Sequence, residues 1–276
     1  MSRGFIRLSA MAALLAASVI TGCGDDEGDS GSDKPGELSV TLVQDGTKGR
    51  FTAPKFVEAG LVNISFKNQS RDDAGLQLIR VEGGHTVAQA IKAGAAWGEK
   101  GQALPDWIRL EGGTQTVPAG KSASSTQVLR PGTYGVLDRD SNVSFEVIGE
   151  GGGELPDAPG TVEASEYSFS ATGLQRGVND LLIANQGREP HVMVGVPINP
   201  GSTIADVRRF LTIEKGKPPF SEKEAVFTPI LDGGTQQVVN INLQKSGSWA
   251  LVCFISDRKG GPPHTAKGMI TEVQVR

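Results

Sequence analysis

Residues 37–149 and 161–276 repeat one another weakly, which limits the chain to architectures that close within about 115 residues. FKNQSRDDAGLQLIRV at 66–81 matches IANQGREPHVMVGVPI at 183–198. LEGGTQ at 110–115 matches LDGGTQ at 231–236, and PGTYGVLD at 131–138 matches SGSWALVC at 246–253. The stretch between the copies, 150–160, is rich in Gly, Pro and acid and reads as a linker. Each copy is long enough to own a hydrophobic core, so the expectation is two domains.

Both copies are written in short apolar or alternating runs. In the first these are 38–43, 61–66, 76–81, 133–137 and 143–148. In the second they are 162–169, 180–184, 191–196, 237–243, 249–255 and 269–275. Turn pairs such as Pro131-Gly132 and Ser246-Gly247 separate them, and 37 glycines and 15 prolines supply the turns. Many short strands of this kind predict an all-β chain of two tandem β-sandwiches. Each copy also carries a helical insert at the same place. Thr86-x-x-Gln89 and Thr203-x-x-Asp206 are capping signals, followed by Val87, Ala90 and Ile91 and by Ile204, Val207, Phe210 and Leu211. Ser221-x-x-Glu224 predicts a further short helix. The insert after the 191–196 run has two readings: packing on the sandwich, or covering the end of it that His191 occupies.

Ahead of the first copy, Arg3 and Arg7 precede an apolar run at 8–20 with the flanks of a secretory signal, too short to span a bilayer. Ile20-Thr21-Gly22-Cys23 resembles the lipobox of bacterial lipoproteins. That implies a signal peptide at 1–22, a lipid on the Cys23 sulfur and an extracytoplasmic protein anchored to the cell membrane. Residues 23–36, with Asp25, Asp26, Glu27, Asp29 and Asp33, read as an acidic flexible tether. The net charge is −4, and no stretch of the sequence is basic enough to suggest nucleic acid.

The chain has two cysteines, so a lipidated Cys23 leaves Cys253 without a disulfide partner in an oxidising compartment. Cys253 lies near the end of the run WALVCFI. His264 and Met269 return in the loop before the last run, and His191 opens the 191–196 run after a proline. Taken singly, such a Cys is a small buried hydrophobe, such a His a satisfied strand residue and such a Met a gap-filler. Together they form the thiolate, two imidazoles and weak axial thioether of a blue-copper site. Met193 shares a strand face with His191 and reads as core.

The Cys…His-x4-Met ending and the Asn-x-Gly-x-x-Pro-His segment at 185–191 resemble cupredoxins of the plastocyanin and azurin type. The resemblance implies tandem Greek-key sandwiches and one copper per chain, in the second domain. It would be held by His191, Cys253 and His264 with Met269 as the axial ligand. It further implies a one-electron carrier working with an extracytoplasmic redox or copper-handling protein. Two departures stand out. Ten residues separate Cys253 from His264, a longer loop than in small cupredoxins, and its polar residues and Gly260-Gly261 predict mobility before Pro262-Pro263 stiffens it. Plastocyanin has an Asn after its first His; Val192 stands here, so the hydrogen bond that Asn makes is expected to be missing.

In the first copy Ala74 aligns with His191 and Asp138 with Cys253, Met269 has no counterpart, and the last loop shrinks to DRDSN. That copy reads as a metal-free cupredoxin-like module for structure or docking, with His85 on its surface. Multicopper enzymes need further histidine-built centres, and the chain has three histidines, two of them in the candidate site. No Gly-x-Ser-x-Gly, His-Glu-x-x-His or phosphate loop is present. The expectation is a protein that is not an enzyme. Two alternatives remain open at this point: copper(I) capture and delivery, favoured by an open site, and a metal-free surface-binding lipoprotein.

Overall fold

The structure, a computed structural model, describes residues 34–276 except 47, 139–142 and 214. The signal segment 1–22, Cys23, the tether up to residue 33 and all of DRDSN but Asp138 lie outside the described residues. Residues 35–276 form one compact unit. Among the described residues, no helix is long and apolar enough to cross a membrane.

Period-2 alternation builds the sheets. In Gly60–Gln69 (β4), Val62, Ile64, Phe66 and Asn68 are buried while the residues between them are more open. The first copy packs a sheet of Lys48–Thr52 (β2), Gly36–Asp45 (β1), β4 and Ser122–Leu129 (β7) against a second sheet. That second sheet holds Phe56–Glu58 (β3), Ser144–Ile148 (β9), Gly132–Val136 (β8), Ala74–Val81 (β5) and Ile108–Val117 (β6). Leu38, Ile64, Phe66, Leu78, Tyr134 and Phe145 fill the space between them.

The second copy repeats the plan. Ser168–Thr172 (β11), Gly160–Ser165 (β10), Gly177–Asn185 (β12) and Gln236–Leu243 (β15) form one layer. Val226–Phe227 (β14), Val194–Pro197 (β13), Gly247–Val252 (β16) and Ile270–Val275 (β17) form the other. Val162, Leu181, Val239, Trp249 and Leu251 lie in its core. The fold is thus all-β, two tandem sandwiches with helical inserts. A short antiparallel contact, Val238↔Thr126 and Val239↔Ser125, joins β15 to β7 and fuses one layer of each copy into a single eight-stranded sheet.

Two of the three sequence matches hold in space. Tyr134 and Trp249 are both fully buried, and each sends its polar end to the carbonyl four residues back, Tyr134 Oη to Arg130 O and Trp249 Nε1 to Lys245 O, both at 3.0 Å. Asn68 and Asn185 likewise play one part. The Asn68 amide donates to Asp72 O at 2.9 Å and Val117 O at 3.1 Å, and that of Asn185 to Glu189 O at 2.7 Å and Leu231 O at 2.9 Å.

The third match is corrected. The Asn bonds make Val117, not Leu110, the counterpart of Leu231. LEGGTQ and LDGGTQ instead face each other between the copies, with Asp232 N donating to Leu110 O at 2.9 Å and Gly112 N to Ile230 O at 3.1 Å. A Cβ on Gly112 would stand 2.4 Å from Gln237 Oε1, and one on Gly233 would stand 2.7 Å from Gly187 O. Close approach requires glycine at both places.

The capping signals form as expected. Thr86 and Gln89 close a reciprocal box on Val87–Lys100 (α1), and Thr203 and Asp206 do the same on Ile204–Ile213 (α2). α2 lies on the outer face of β13, β16 and β17, with Val207 against Val194, Val196, Val252 and Ile270. It packs on the sandwich, the first of its two readings. The helix expected at Ser221 is a turn: the Ser221 hydroxyl meets the Glu224 carboxylate, and Ala225 N donates to Glu222 O at 3.2 Å. The run 162–169 breaks into the hairpin β10–β11.

Candidate metal centre

His191 enters from the loop after β12. Asn185 shapes that loop, its Oδ1 accepting Gly187 N at 2.9 Å while its amide ties the far side. His191 then forms a two-bond bridge with Leu231, at 3.0 and 2.9 Å. Cys253 is the residue after β16. His264 opens a short 3-10 turn, His264–Lys267, fixed by His264 N to Ile255 O at 2.9 Å and Thr265 N to Cys253 O at 3.0 Å.

These three side chains converge and are buried, His191 at 3% exposure and Cys253 and His264 at none. The two Nδ1 atoms are 3.1 Å apart. Cys253 Sγ lies 3.3 Å from His264 Nδ1 and 3.9 Å from His191 Nδ1. The circle through these three atoms has a radius of about 2.0 Å, near the bond length of a small transition metal to nitrogen or sulfur. The donor set fits a type 1 copper centre. Met269, the expected axial ligand, is fully buried in the same core cluster as Cys253, with Cys253 N donating to Met269 O at 3.3 Å. Met193 joins that cluster as well.

Electrostatics keep the metal-free donors neutral. Burial pushes the Cys253 thiol up to about 11 against the opposing Val192 and Ile255 backbone amides. Burial, then the neighbouring His264, brings His191 down to about 4. His264 is also lowered by burial, with Asp257 opposing. A metal bound here at neutral pH would have to displace the thiol proton. The hydrogen bond in question at Val192 has a backbone counterpart: Val192 N donates to Cys253 Sγ at 3.5 Å, and the backbone supplies it whatever the side chain.

The long loop is where the sequence reading changes most. It is not left free but is held by the first copy. Trp97 Nε1 donates to Asp257 O at 2.9 Å, and Leu104 N to Arg258 O at 2.7 Å. Arg258 reaches Pro105 O at 2.9 Å and Ile108 O at 3.0 Å and forks onto Asp232, Oδ1 at 2.6 Å. A Cβ on Gly260 would stand 2.2 Å from Gly101 O, at the end of α1. These contacts tie the loop between Cys253 and His264 to the first copy. Sequence reasoning missed the parts played by Asp257, Arg258, Asp232, Trp97 and Tyr167: Asp257 reads only as one of the polar residues of the loop, and the other four act through partners far along the chain. In the first copy Ala74 and Asp138 stand at the ligand positions, and His85 is exposed and stacked on Trp107.

No known family model matches the chain, and no curated protein matches it in sequence. Among solved structures the chain is similar to auracyanin B, at 21% identity over 42% of this chain and 86% of that one, TM-score 0.28. It is similar to auracyanin from Roseiflexus castenholzii at 15% identity, over 42% of this chain and 94% of that one, TM-score 0.28. Copper nitrite reductase from Nitrosomonas europaea is similar at 11% identity over 87% of this chain and 93% of that one, TM-score 0.23.

Proposed function

We propose that the chain is a copper-binding electron carrier, with His191, Cys253 and His264 as ligands and Met269 as the axial contact. The observation that carries this is the convergence of two Nδ1 atoms and one Sγ, all buried, on segments that the fold pins from several sides. Bound copper would supply one-electron exchange between two oxidation states. The chain's own part is to hold the donors still: Asn185 sets the His191 loop, the Val192 amide supports the sulfur, and the first copy clamps the loop to His264. Fixed donors lower the rearrangement that electron exchange demands.

The clamp argues against copper capture and delivery, which an open loop would favour. Two of the three histidines lie in this site and the third is stacked on Trp107, which supports carriage over multicopper catalysis within the chain. The lipobox at Cys23 and the acidic tether support an extracytoplasmic carrier anchored to the cell membrane, serving a redox protein outside the cytoplasm.

Titration of the purified protein with copper(II) should give an intense blue thiolate-to-copper band that saturates at one equivalent and is absent from Cys253→Ser. A colourless wild type that also fails to take copper(I) overturns the reading. Rapid release of copper to a chelating acceptor, without reversible redox, would favour delivery instead.

A further inference from the structure

The edge of the His264 ring that faces away from the donors is closed by a charged array. Asp257 is its centre. Its Oδ1 takes His264 Nε2 at 2.9 Å and Tyr167 Oη at 3.0 Å, and its Oδ2 is ion-paired with Lys267 Nζ. Lys267 Nζ also reaches Tyr167 Oη at 2.9 Å and sits 4.4 Å from the centre of the Tyr167 ring. That ring meets the His264 imidazole edge-on, centroids 5.0 Å apart. The Asp257 backbone is held too, its carbonyl accepting Trp97 Nε1 at 2.9 Å and Gly260 N at 2.8 Å.

We propose that Asp257 is a positioning residue of the centre: it fixes His264 as the Nε2–H tautomer with Nδ1 turned to the donors, and its charge, opposed by that of Lys267, tunes how readily the site gives up an electron. The proposal rests on the copper reading for its second half alone. A free imidazole exchanges its proton between two nitrogens; a carboxylate on one of them fixes the tautomer and makes the other nitrogen a stronger donor. A negative charge nearby stabilises the more positive oxidation state of the site, and a positive charge does the reverse. Replacing Asp257 and replacing Lys267 should therefore move the reduction potential in opposite directions. Loss of packing alone has no reason to produce that pattern.

The test has two arms. In metal-free protein, imidazole nitrogen NMR should show His264 as a single Nε2–H tautomer, and as a mixture in Asp257→Ala. Asp257→Asn retains an oxygen acceptor and should retain the tautomer. In copper-loaded protein, Asp257→Asn should raise the potential and Lys267→Met should lower it. Each should change the oxidised-to-reduced ratio against a fixed mediator by about tenfold, the order expected for one charge in a partly buried site. An unchanged tautomer in folded Asp257→Ala overturns the positioning role. Shifts of the same sign, or none, overturn the tuning role. A wild type that takes no copper refutes the metal reading and leaves the first arm to decide positioning.

Discussion

Arg258→Met is the sharpest probe of the clamp between the copies. The Arg258 side chain is 13% exposed and Asp232 is 2% exposed, so the pair is largely out of water. Methionine keeps much of the aliphatic stem but removes both bonds to Asp232 and those to Pro105 O and Ile108 O. What remains for Asp232 is the Leu110 amide at 3.2 Å and Arg109 Nε at 3.4 Å, the latter a third exposed. Stranding one member of a buried pair costs about 3–5 kcal/mol. Arg109 offsets part of this, so we expect about 3 kcal/mol, or a melting temperature lower by about 6–12 °C for a unit of this size. Adding Asp232→Leu removes the stranded charge and should restore part of the loss, although a second residue has changed. Urea and thermal unfolding of the wild type, both single variants and the double variant close the cycle. A single-variant loss under about 1 kcal/mol, or a double variant no better than the sum of the singles, would refute the buried-pair argument.

Three further outcomes are expected. Asn185→Ala removes three hydrogen bonds from the His191 loop, one of them buried and two half-buried, and should cost about 2–3 kcal/mol and weaken copper binding; Asn68→Ala should cost a similar amount, read by urea unfolding, and leave the copper titration unchanged. Trp97→Phe retains the buried ring but loses the bond to Asp257 O, and should cost about 1 kcal/mol while speeding amide hydrogen exchange in the 254–263 loop. Burial tends to raise Glu166, but the amides of Arg188 and Glu189 outweigh it and hold its carboxyl below the usual value of 4.5. Its folded pKa is depressed, so its contribution is complete above about pH 4.5 and fades as pH falls through the folded value. Unfolding midpoints between about pH 3 and 7 should lose part of their acid decline in Glu166→Gln.

The convergence of His191, Cys253 and His264 was legible in the sequence because cysteine and histidine are few, and their order along the chain carries information. The strands within 61–66 and 76–81 were legible through alternation or apolar runs, and so was β16, which ends at Val252 although the apolar run continues to 255. β7, written SASSTQVL, was not. It lies where the sheets of the two copies fuse, so Ser125 and Gln127 are buried although they are polar, and a pattern of hydropathy cannot mark it. β6 was hidden for a related reason: its Gly112 and Gly113 look like a turn but serve close approach, to Gln237 and to Leu76. The loop after Cys253 reads as mobile because it is polar. Its polar groups are satisfied by Trp97, Pro105 and Ile108, about 150 residues earlier, and nothing local in the sequence reports such partners.

The short join between β7 and β15 bears on what happens if the copies are separated. A sheet edge with unpaired amides and carbonyls invites other chains to add to it. In the intact chain Val238 and Val239 of β15 pair with Thr126 and Ser125 of β7, so each copy covers part of the other's inner edge. Residues 161–276 made alone would retain every proposed ligand but expose β15 as a sticky margin. The first copy covers that stretch from within the same polypeptide, and its removal should be felt first as self-association.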